Sequence, residues 1–527
     1  MDFSNHIGQR LLFAFRGKNE LPDEILDAIK KFKPAGFTLF RSKNIDSAQQ
    51  VRQLVLMLQN KAEELKISPF LIGVDQEGGQ LMAVGDGTPL PGNMALGATG
   101  DPNLAYQAGQ VIGIEMSTLG INVVYAPCAD VNNNPFNSVV GTRSFGDDPE
   151  MVSEMAAEMI RGIQSCGVAA TVKHFPGHGD TSTDSHHKLG LIPHTLERLR
   201  AVELPPFNAA IQADVRMLMT AHLGIESIDG QNPPPATLSK KVVNDLLREE
   251  LGFKGVVVSD AMNMLAIQQG EALRGEVINA AIAGVDLIMI TDDPDDQRRS
   301  YEALDSAVKR NEISPARLDA SLARISQLKT WSTKNFIQQD FEVIRCRTHM
   351  DLAKEIAKKS ITLVRNTEDL IPLKLTSNQK VAVVIPIPQD LTPADTSSYT
   401  KPALVESIRQ FHPNVDEILV QISPTDEEVN RIIQSIQSYD LVIVGTINAY
   451  VQANQQFLVN EILQTEVPTI LLALRLPYDA VVFPRASSVL CTYGILEPSM
   501  RAAAAVIFGQ IKANGNLPVK FPDILRK

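Results

Sequence analysis

Short apolar runs recur along the first two thirds of the chain, and segments with helical periodicity separate most of them. The runs are almost continuously apolar, which is typical of parallel strands that are buried on both faces. Eight runs follow this pattern: Arg10–Phe15, Gly36–Phe40, Phe70–Asp75, Ile121–Asp130, Ala169–His174, Met217–His222, Gly255–Asp260 and Val285–Thr291. Eight strand–helix units in residues 1–335 predict an α/β fold, a (β/α)8 TIM-like barrel.

Two of the separating segments carry clear helix starts. Asp101-Pro102 and Asp148-Pro149 each place an Asp that caps a first turn before a Pro that fits the first helical position. After Pro149 the apolar residues form one stripe: Val152, Met155, Ala156, Met159, Ile160 and Ile163. We therefore predict that these methionines pack against the barrel rather than bind a cofactor.

A second α/β region follows a polar segment near residues 330–350. Four more apolar runs alternate there with helical patterns: Val381–Pro386, Leu441–Gly445, Thr469–Leu474 and Val489–Tyr493. This pattern predicts a smaller three-layer α/β sandwich with a parallel sheet. The predicted organisation is a barrel in residues 1–335, a linker in 336–350 and a sandwich domain in 351–527.

Charge and patterning argue against several classes of protein. Lys and Arg number 49 against 61 Asp and Glu, a net charge of -12, which disfavours nucleic-acid binding because that needs cations to neutralise phosphates. No apolar run approaches the roughly 20 residues that span a bilayer. The N-terminus lacks the basic and apolar regions of a secretory signal. A cytoplasmic protein without membrane contact is therefore predicted.

Motifs for cofactors and metals are missing from the sequence. The four cysteines are far apart and form no CxxC pair, so neither a disulfide framework nor a zinc site is indicated. Neither GxGxxG nor GxxxxGK[ST] occurs. We predict no cofactor. Because aromatic residues make up only 5% of the chain, a small substrate is favoured over a polymer held by stacking rings.

Polar residues mark the carboxyl ends of the predicted barrel strands, where barrel enzymes build their sites. Five strands end in this way, at Asp75, Asp130, His174, His222 and Asp260. A carboxylate at such a position can also cap the next helix, but five polar endings together favour a site. Arg143, in the loop after the fourth strand, is a candidate substrate clamp.

The densest group of polar residues is the loop 173–187, which holds four of the nine histidines. His174 and His178 have the spacing of zinc ligands on a helix, but Pro176 and Gly177 between them forbid a regular helix. A metal site is therefore disfavoured. Acid–base chemistry is favoured, because Asp184 and His186 project to the same side of an extended loop, where a carboxylate orients an imidazole.

These motifs resemble those of a known enzyme family. The resemblance lies in KHFPGHGDTSTDSH (173–186), GVDQEGG (73–79), GTRSFGDDP (141–149), MTAH (219–222) and VVVSDAMNM (256–264). Together they are similar to the β-N-acetylhexosaminidases of glycoside hydrolase family 3, along residues 5–330. The later region resembles the second domain of the two-domain members.

The resemblance implies roles for matching residues. Asp260 would be the nucleophile of a retaining mechanism, and His186, paired with Asp184, would be the general acid/base. The remaining residues would surround the sugar: Asp75, Arg143, Lys173 and His174 would hold its hydroxyls, and His222 would line the subsite. Gln80 stands where family members often have Arg, so we do not expect the contact made by that Arg in this chain.

The implied activity is that of a retaining exo-β-N-acetylglucosaminidase that acts on small glycans or peptidoglycan fragments, without a metal. Three alternatives remain open: a β-glucosidase or β-xylosidase of the same family, an N-acetylglucosaminide phosphorylase, and a sugar-binding protein with an inactive barrel. The histidine loop disfavours the first, and the complete set of expected residues disfavours the last. The sequence predicts no oligomeric state.

Overall fold

The computed structural model describes residues 6–181 and 189–525. It confirms the predicted barrel of eight parallel strands. These are β1 Leu11–Phe13, β2 Gly36–Thr38, β3 Leu71–Val74, β4 Val123–Val124, β5 Ala169–Phe175, β6 Met217–Thr220, β7 Val256–Ser259 and β8 Ile288–Ile290. A bridge from Val258 to Leu287 joins β7 to the segment that enters β8, so the sheet closes on itself.

Alternate side chains of the strands point to the two sides of the barrel wall. Val256 and Val258 belong to a cluster that takes residues from nearly every strand and fills the interior. Val257 between them packs outward into the larger core formed with the helices. Ile325 and Leu328 of the last barrel helix join the interior cluster and close its lower end. The barrel is therefore a packed core, and the space for a ligand lies above it.

Helices cover the outside of the barrel. The predicted caps are confirmed: the Asp148 side chain accepts from the Glu150 amide, and Asp101 accepts from the Asn103 amide. The helices are Asp23–Phe32, Arg41–Asn44, Ala48–Glu64, Asn93–Thr99, Pro102–Thr118, Pro149–Gln164, Leu196–Ala201, Pro205–Gln212, Glu226–Asp229, a π-helix Lys241–Glu250, Leu273–Ala283, Pro294–Lys309 and Pro315–Asn335. No helix in the described part of the chain has both the length and the apolar character that crossing a bilayer requires.

The second domain is a six-stranded sheet between two layers of helices, as predicted. Its strands are β9 Thr362–Asn366, β10 Val381–Pro386, β11 Val415–Val420, β12 Leu441–Thr446, β13 Thr469–Ala473 and β14 Ser488–Cys491, in the order β9-β14-β13-β12-β10-β11. Val383 and Ile443 face one helical layer, and Val384 and Val444 face the other. The helices are Leu404–Arg409, Asp426–Ile436, Ala453–Gln464, Asp479–Val482 and Glu497–Ile507.

The sheet differs from the sequence expectation at its edges. The two edge strands β9 and β11 were not among the predicted runs, and β9 pairs antiparallel to β14, so the sheet is not wholly parallel. Edge strands are covered less completely than central ones. Asp416 and Glu417 of β11 are exposed, so the strand lacks the continuous apolar run that marks its neighbours.

The helix Arg347–Ser360 joins the two domains. Its residues Leu352 and Ile356 belong to the barrel core, whereas Ala357 belongs to the core of the second domain. At its first turn, His349 Nδ1 lies 2.9 Å from the Glu115 carboxylate of the barrel helix Pro102–Thr118. The contacts of this helix therefore help to hold the two domains against each other. The domain limits given above remain a prediction.

Candidate active site

A cavity of about 560 Å³ opens at the carboxyl ends of the barrel strands. Five residues singled out in the sequence line it, although they come from four different strand–loop units: Asp75, Arg143, Lys173, His174 and Asp260. The polar strand endings thus converge at one place, as the barrel topology predicted.

Lys173 is the charged centre of one wall. Its Nζ lies 2.6 Å from Asp75 Oδ1 and 2.7 Å from Glu77 Oε1, and the side chain is almost completely buried. Burial alone would lower the pKa of Lys173, but the two carboxylates outweigh this effect and raise it. The lysine therefore stays charged at neutral pH and is held in one position.

Glu77 links this lysine to Arg143. Arg143 donates from Nε at 3.0 Å and from Nη2 at 2.8 Å to the two oxygens of the Glu77 carboxylate. Burial raises the pKa of Glu77, but Arg143 and Lys173 together lower it to about 2. Two cations and two carboxylates, with Asp75 as the second, form a balanced buried cluster, which meets the condition for keeping charges inside a protein.

His174 is oriented by Asp130, a residue that the sequence marked only as a strand ending. His174 Nδ1 donates to Asp130 Oδ2 at 2.7 Å, which directs Nε2 toward Arg143 Nη2 at 3.4 Å. The backbone amide of His178 donates to the other Asp130 oxygen at 2.7 Å. Burial would raise the pKa of Asp130, but the two histidines hold it well below its usual range. The His174 ring is thus fixed at the cavity wall.

Cys128, Asp130 and His174 are the one group in the described chain whose ligand atoms are close enough to hold a metal ion, within 4.8 Å of one another. Their hydrogen bonds fit a different arrangement. Cys128 Sγ donates to Asp130 Oδ2 at 3.1 Å, and burial raises the pKa of this thiol well above its usual value. Because a metal needs the thiolate and free carboxylate lone pairs, these residues fit a network that positions His174 better than a metal site.

Asp260 stands on the opposite side of the cavity, directly after β7. Its Oδ1 accepts from the Ala261 amide at 2.7 Å, which fixes the carboxylate at the strand end. Tyr125, buried between the two walls, has its pKa raised by burial and then by the negative charges of Asp75 and Asp260. The Asp75 and Asp260 carboxylates therefore both lie close enough to Tyr125 to affect its pKa.

His222 is buried beside the strand end that carries Asp260. The ring is fully buried, and its Nε2 donates to the Ala261 carbonyl at 3.2 Å while Nδ1 contacts Thr237 Oγ1 at 2.8 Å. The structure thus places His222 next to the backbone that carries Asp260. The resemblance implied a lining position for His222, which stays a prediction; the described contacts show that the ring supports the backbone at the Asp260 strand end.

Asp184 and His186 lie outside the described residues, so their predicted acid–base roles remain predictions. The residues on either side are anchored. Thr181 Oγ1 lies 2.8 Å from His178 Nδ1, and Asp180 lies 2.6 Å from His194 Nε2. Burial and the neighbouring His174 lower the pKa of His178 to about 4, so this imidazole is neutral near pH 7.

The second domain supplies part of the cavity wall. The segment 390–399, here called the wall segment, lines the cavity through Asp390, Thr392, Pro393, Ala394, Asp395, Thr396 and Tyr399. A buried ion pair of 2.7 Å between Arg475 and Asp395 holds it to its own domain. On the barrel side, the guanidinium of Arg41 lies 4.2 Å from the centre of the Tyr399 ring.

Gln80, where the family pattern has Arg, ties the wall segment to the barrel. Its Nε2 donates to the Ala394 carbonyl at 3.2 Å, and its Oε1 accepts from Thr142 Oγ1 at 2.6 Å. Its backbone carbonyl accepts from the Thr396 amide at 2.8 Å. The residue that departs from the pattern therefore makes contacts that join the two domains beside the cavity.

Known proteins share both the motifs and the architecture. The model of the Glycosyl hydrolase family 3 N terminal domain matches residues 5–328. Beta-hexosaminidase A of Pseudoalteromonas piscicida is 30% identical, over 98% of this chain and 96% of its own length. The chain belongs to glycoside hydrolase family 3.

Two further relatives of this family 3 glycosidase bear on its architecture. The beta-N-acetylglucosaminidase/beta-glucosidase of Cellulomonas fimi is 29% identical, over 86% of this chain and 83% of its own. The solved structure of a glycoside hydrolase family 3 beta-N-acetylglucosaminidase from Paenibacillus sp. str. FPU-7 is 36% identical, covers 99% of both chains and gives a TM-score of 0.93. The resemblance seen in the sequence is thereby confirmed along the whole chain.

Three features of this family 3 site were missed in the sequence. Glu77 was noted only as part of GVDQEGG, and Asp130 only as a strand ending, although both fix sugar-site candidates. The signal available in the sequence for Glu77 was a second carboxylate two residues after Asp75, in the same glycine-flanked strand end. The wall segment had no signal, because its place depends on how the two domains pack.

Proposed function

We propose that this chain is a retaining exo-β-N-acetylglucosaminidase that hydrolyses terminal β-linked N-acetylglucosamine. The observation that carries the proposal is the placement of Asp260 across one cavity from the cluster of Asp75, Lys173, Arg143 and His174. The names of the relatives with 30% and 36% identity support the sugar.

The cluster suits the hydroxyls of one sugar ring. Asp75 accepts hydrogen bonds, Lys173 donates them, and His174 offers its Nε2 at the cavity wall. Because ion pairs already fix these side chains, sugar binding loses little free energy in ordering them. A cavity of about 560 Å³ accommodates a sugar with its leaving group, which fits release from a chain end.

The first chemical step forms a glycosyl-enzyme. An Asp260 carboxylate oxygen bonds to the anomeric carbon while the bond to the leaving oxygen breaks, and the imidazolium of His186 gives its proton to that oxygen. An imidazole can take this role because its unperturbed pKa near 6.5 lets it give and take protons around neutrality.

The second step releases the sugar. Neutral His186 takes a proton from water, the water oxygen attacks the anomeric carbon, and the bond to Asp260 breaks. Two inversions give net retention of configuration. Asp184 orients the imidazole and stabilises its charged form.

Glycoside selectivity separates the proposal from its family alternatives. We expect p-nitrophenyl β-N-acetylglucosaminide to be cleaved with a kcat/KM far above those for the β-glucoside and β-xyloside, and Asp260→Asn to lower kcat by more than about 10³-fold. Preference for the glucoside would contradict the proposed sugar. Accumulation of sugar 1-phosphate in phosphate buffer would favour the phosphorylase, since a neutral imidazole does not repel an incoming anion. Binding without turnover would favour the inactive barrel.

Leaving-group dependence tests His186 separately. We expect His186→Ala to slow the release of poor leaving groups far more than that of activated aryl groups, which need little proton assistance. Asp184→Ala should show the same dependence in milder form. Equal slowing of both classes, or this dependence in His187→Ala instead, would contradict the role.

The finer substrate class and setting belong to the same proposal. The proposed substrates are small cell-wall fragments that end in N-acetylglucosamine, and the proposed role is their recycling in the cytoplasm. A cavity of about 560 Å³ has room for such small fragments.

We also propose the domain limits 1–335 and 351–527. Limited proteolysis followed by mass measurement tests them: cuts within 336–350 are expected, and a first cut inside either domain would contradict the limits.

A further inference from the structure

A second cavity, here called the floor cavity, opens at the opposite end of the barrel. Its volume is about 700 Å³, and residues that precede the barrel strands form its wall together with the helix Pro315–Asn335. Gln9 precedes β1, Lys33 precedes β2 and Ser68 precedes β3. The floor cavity shares no lining residue with the candidate active site.

Lys329 is the buried charge of this cavity. The residue is only 8% exposed, and its Nζ donates to Gln9 Oε1 at 2.9 Å and to Ser68 Oγ at 3.0 Å. The Gln9 amide group donates in turn to the carbonyls of Lys33 and Pro34, which fixes its oxygen toward Lys329. Among the described residues, the oxygens that hold the ammonium group in place are thus both neutral.

No counter-charge compensates Lys329 among residues 6–181 and 189–525. The described lining contains no Asp or Glu, and Lys329 forms no ion pair there. Burial lowers its pKa to about 7, with no opposing effect from a neighbouring carboxylate. An uncompensated buried cation is unfavourable, so an anion that enters the cavity restores its charged form.

Three further lysines and a histidine line the same space. His6, Lys33, Lys66 and Lys334 also line it, and these are the titratable groups that face Lys329 there. Lys33 caps the helix Asp23–Phe32, and Lys66 follows the helix Ala48–Glu64, so helix-end electrostatics account for these two. They do not account for Lys329, which lies inside its helix rather than in the last turn.

We propose that the floor cavity binds a phosphoryl group, as inorganic phosphate or as the phosphate of a small ester, with Lys329 Nζ as its central counter-charge. A phosphoryl dianion offers several acceptor oxygens, which match the ammonium groups and the hydroxyls of Ser68, Ser326 and Thr330 better than one carboxylate does.

Binding of inorganic phosphate to the full chain tests the proposal. We expect phosphate to raise the melting temperature above that in sodium chloride of equal ionic strength, with saturation. A parallel titration with glycerol 3-phosphate tells whether free phosphate or an ester binds more tightly. Lys329→Met should raise the Kd for phosphate by at least about tenfold. Lys30→Met, an exposed lysine on the helix next to Lys33, is the matched control and should bind like the wild type.

Two results would overturn the proposal: phosphate that stabilises Lys329→Met as much as the wild type, which would place the anion elsewhere, or phosphate that acts no better than chloride. If Lys329→Met does not fold, Lys66→Gln at the exposed rim decides the question. It should fold normally and weaken binding roughly threefold. Unchanged affinity in that variant would contradict the proposal.

Discussion

Lys173 and Lys329 are both buried lysines of one barrel, yet their surroundings differ in kind. Lys173, at the catalytic end, lies within 2.7 Å of two carboxylates, and its pKa is raised. Lys329, at the floor, contacts an amide oxygen and a hydroxyl, and its pKa is lowered to about 7. Burial alone has the same sign at both sites, so the counter-charges decide the outcome.

The two lysines differ in whether described carboxylates of the protein balance their charge. Around Lys173, the protein supplies its own anions and holds the donors in place before a neutral sugar binds. Around Lys329, the protein supplies cations and hydroxyls but no described carboxylate, which is how a site for an anion is built. The same residue type thus indicates different ligands at the two ends of the barrel.

The largest effect is expected from removing the lysine of the balanced cluster. Lys173→Met leaves Asp75 without its ion-pair partner and Glu77 with Arg143 alone. We expect it to lower the free energy of unfolding by about 3 kcal/mol. We also expect kcat/KM to fall at least about 100-fold, because a charge-assisted contact to the sugar is lost. Urea unfolding and steady-state kinetics measure the two effects. If the variant is as stable as the wild type, Lys173 does not compensate the charges of Asp75 and Glu77 as we conclude.

Lys329→Met should act in the opposite direction in phosphate-free buffer. We expect it to raise the free energy of unfolding by about 1–4 kcal/mol at pH 7, with kcat/KM unchanged, because a desolvated charge is replaced by an apolar side chain of similar shape. The two lysine variants serve as controls for each other. Destabilisation by Lys329→Met would show that the floor lysine is compensated after all.

The stability difference between Lys329→Met and the wild type should depend on pH, because the pKa of Lys329 is lowered on folding. The pKa of Lys329 is lower in the folded state than the ordinary value of about 10.4, so the unfolded chain binds the proton more readily. The wild type therefore gains stability from this group as pH rises from 7 to 9. The advantage of Lys329→Met should shrink by about 2 kcal/mol over this range. A constant difference between the two unfolding curves would contradict the lowered pKa.

The smallest effect concerns the wall that the second domain adds to the catalytic end. Gln80→Ala removes two side-chain hydrogen bonds beside the wall segment but leaves the ion-paired cluster intact. We expect KM to rise about fivefold with kcat changed by less than about twofold, because hydrogen bonds of about 1 kcal/mol are lost away from the reacting bond. Gln59→Ala, within the barrel, is the control. A fall in kcat alone would show that Gln80 acts on the chemistry.

The sequence predicted what depends on local pattern. All eight barrel strands and the convergence of Asp75, His174 and Asp260 followed from apolar runs with polar ends, because parallel strands bring those ends together. The sequence could not reveal that Asp395 lines the same cavity as Asp75, since the packing of the two domains brings them together. Nor could it reveal that no carboxylate of residues 6–181 and 189–525 faces Lys329, because the pattern of a helix does not show what faces each polar residue.

Trapping of the glycosyl-enzyme tests the central claim most directly. A fluorinated N-acetylglucosaminyl donor with an activated leaving group slows the second step, so the covalent intermediate accumulates and its peptide can be sequenced by mass spectrometry. We predict one sugar per chain, attached to Asp260 and absent from Asp260→Asn. A sugar attached to Asp75 or Glu77, or turnover without any covalent adduct, would contradict the proposed mechanism.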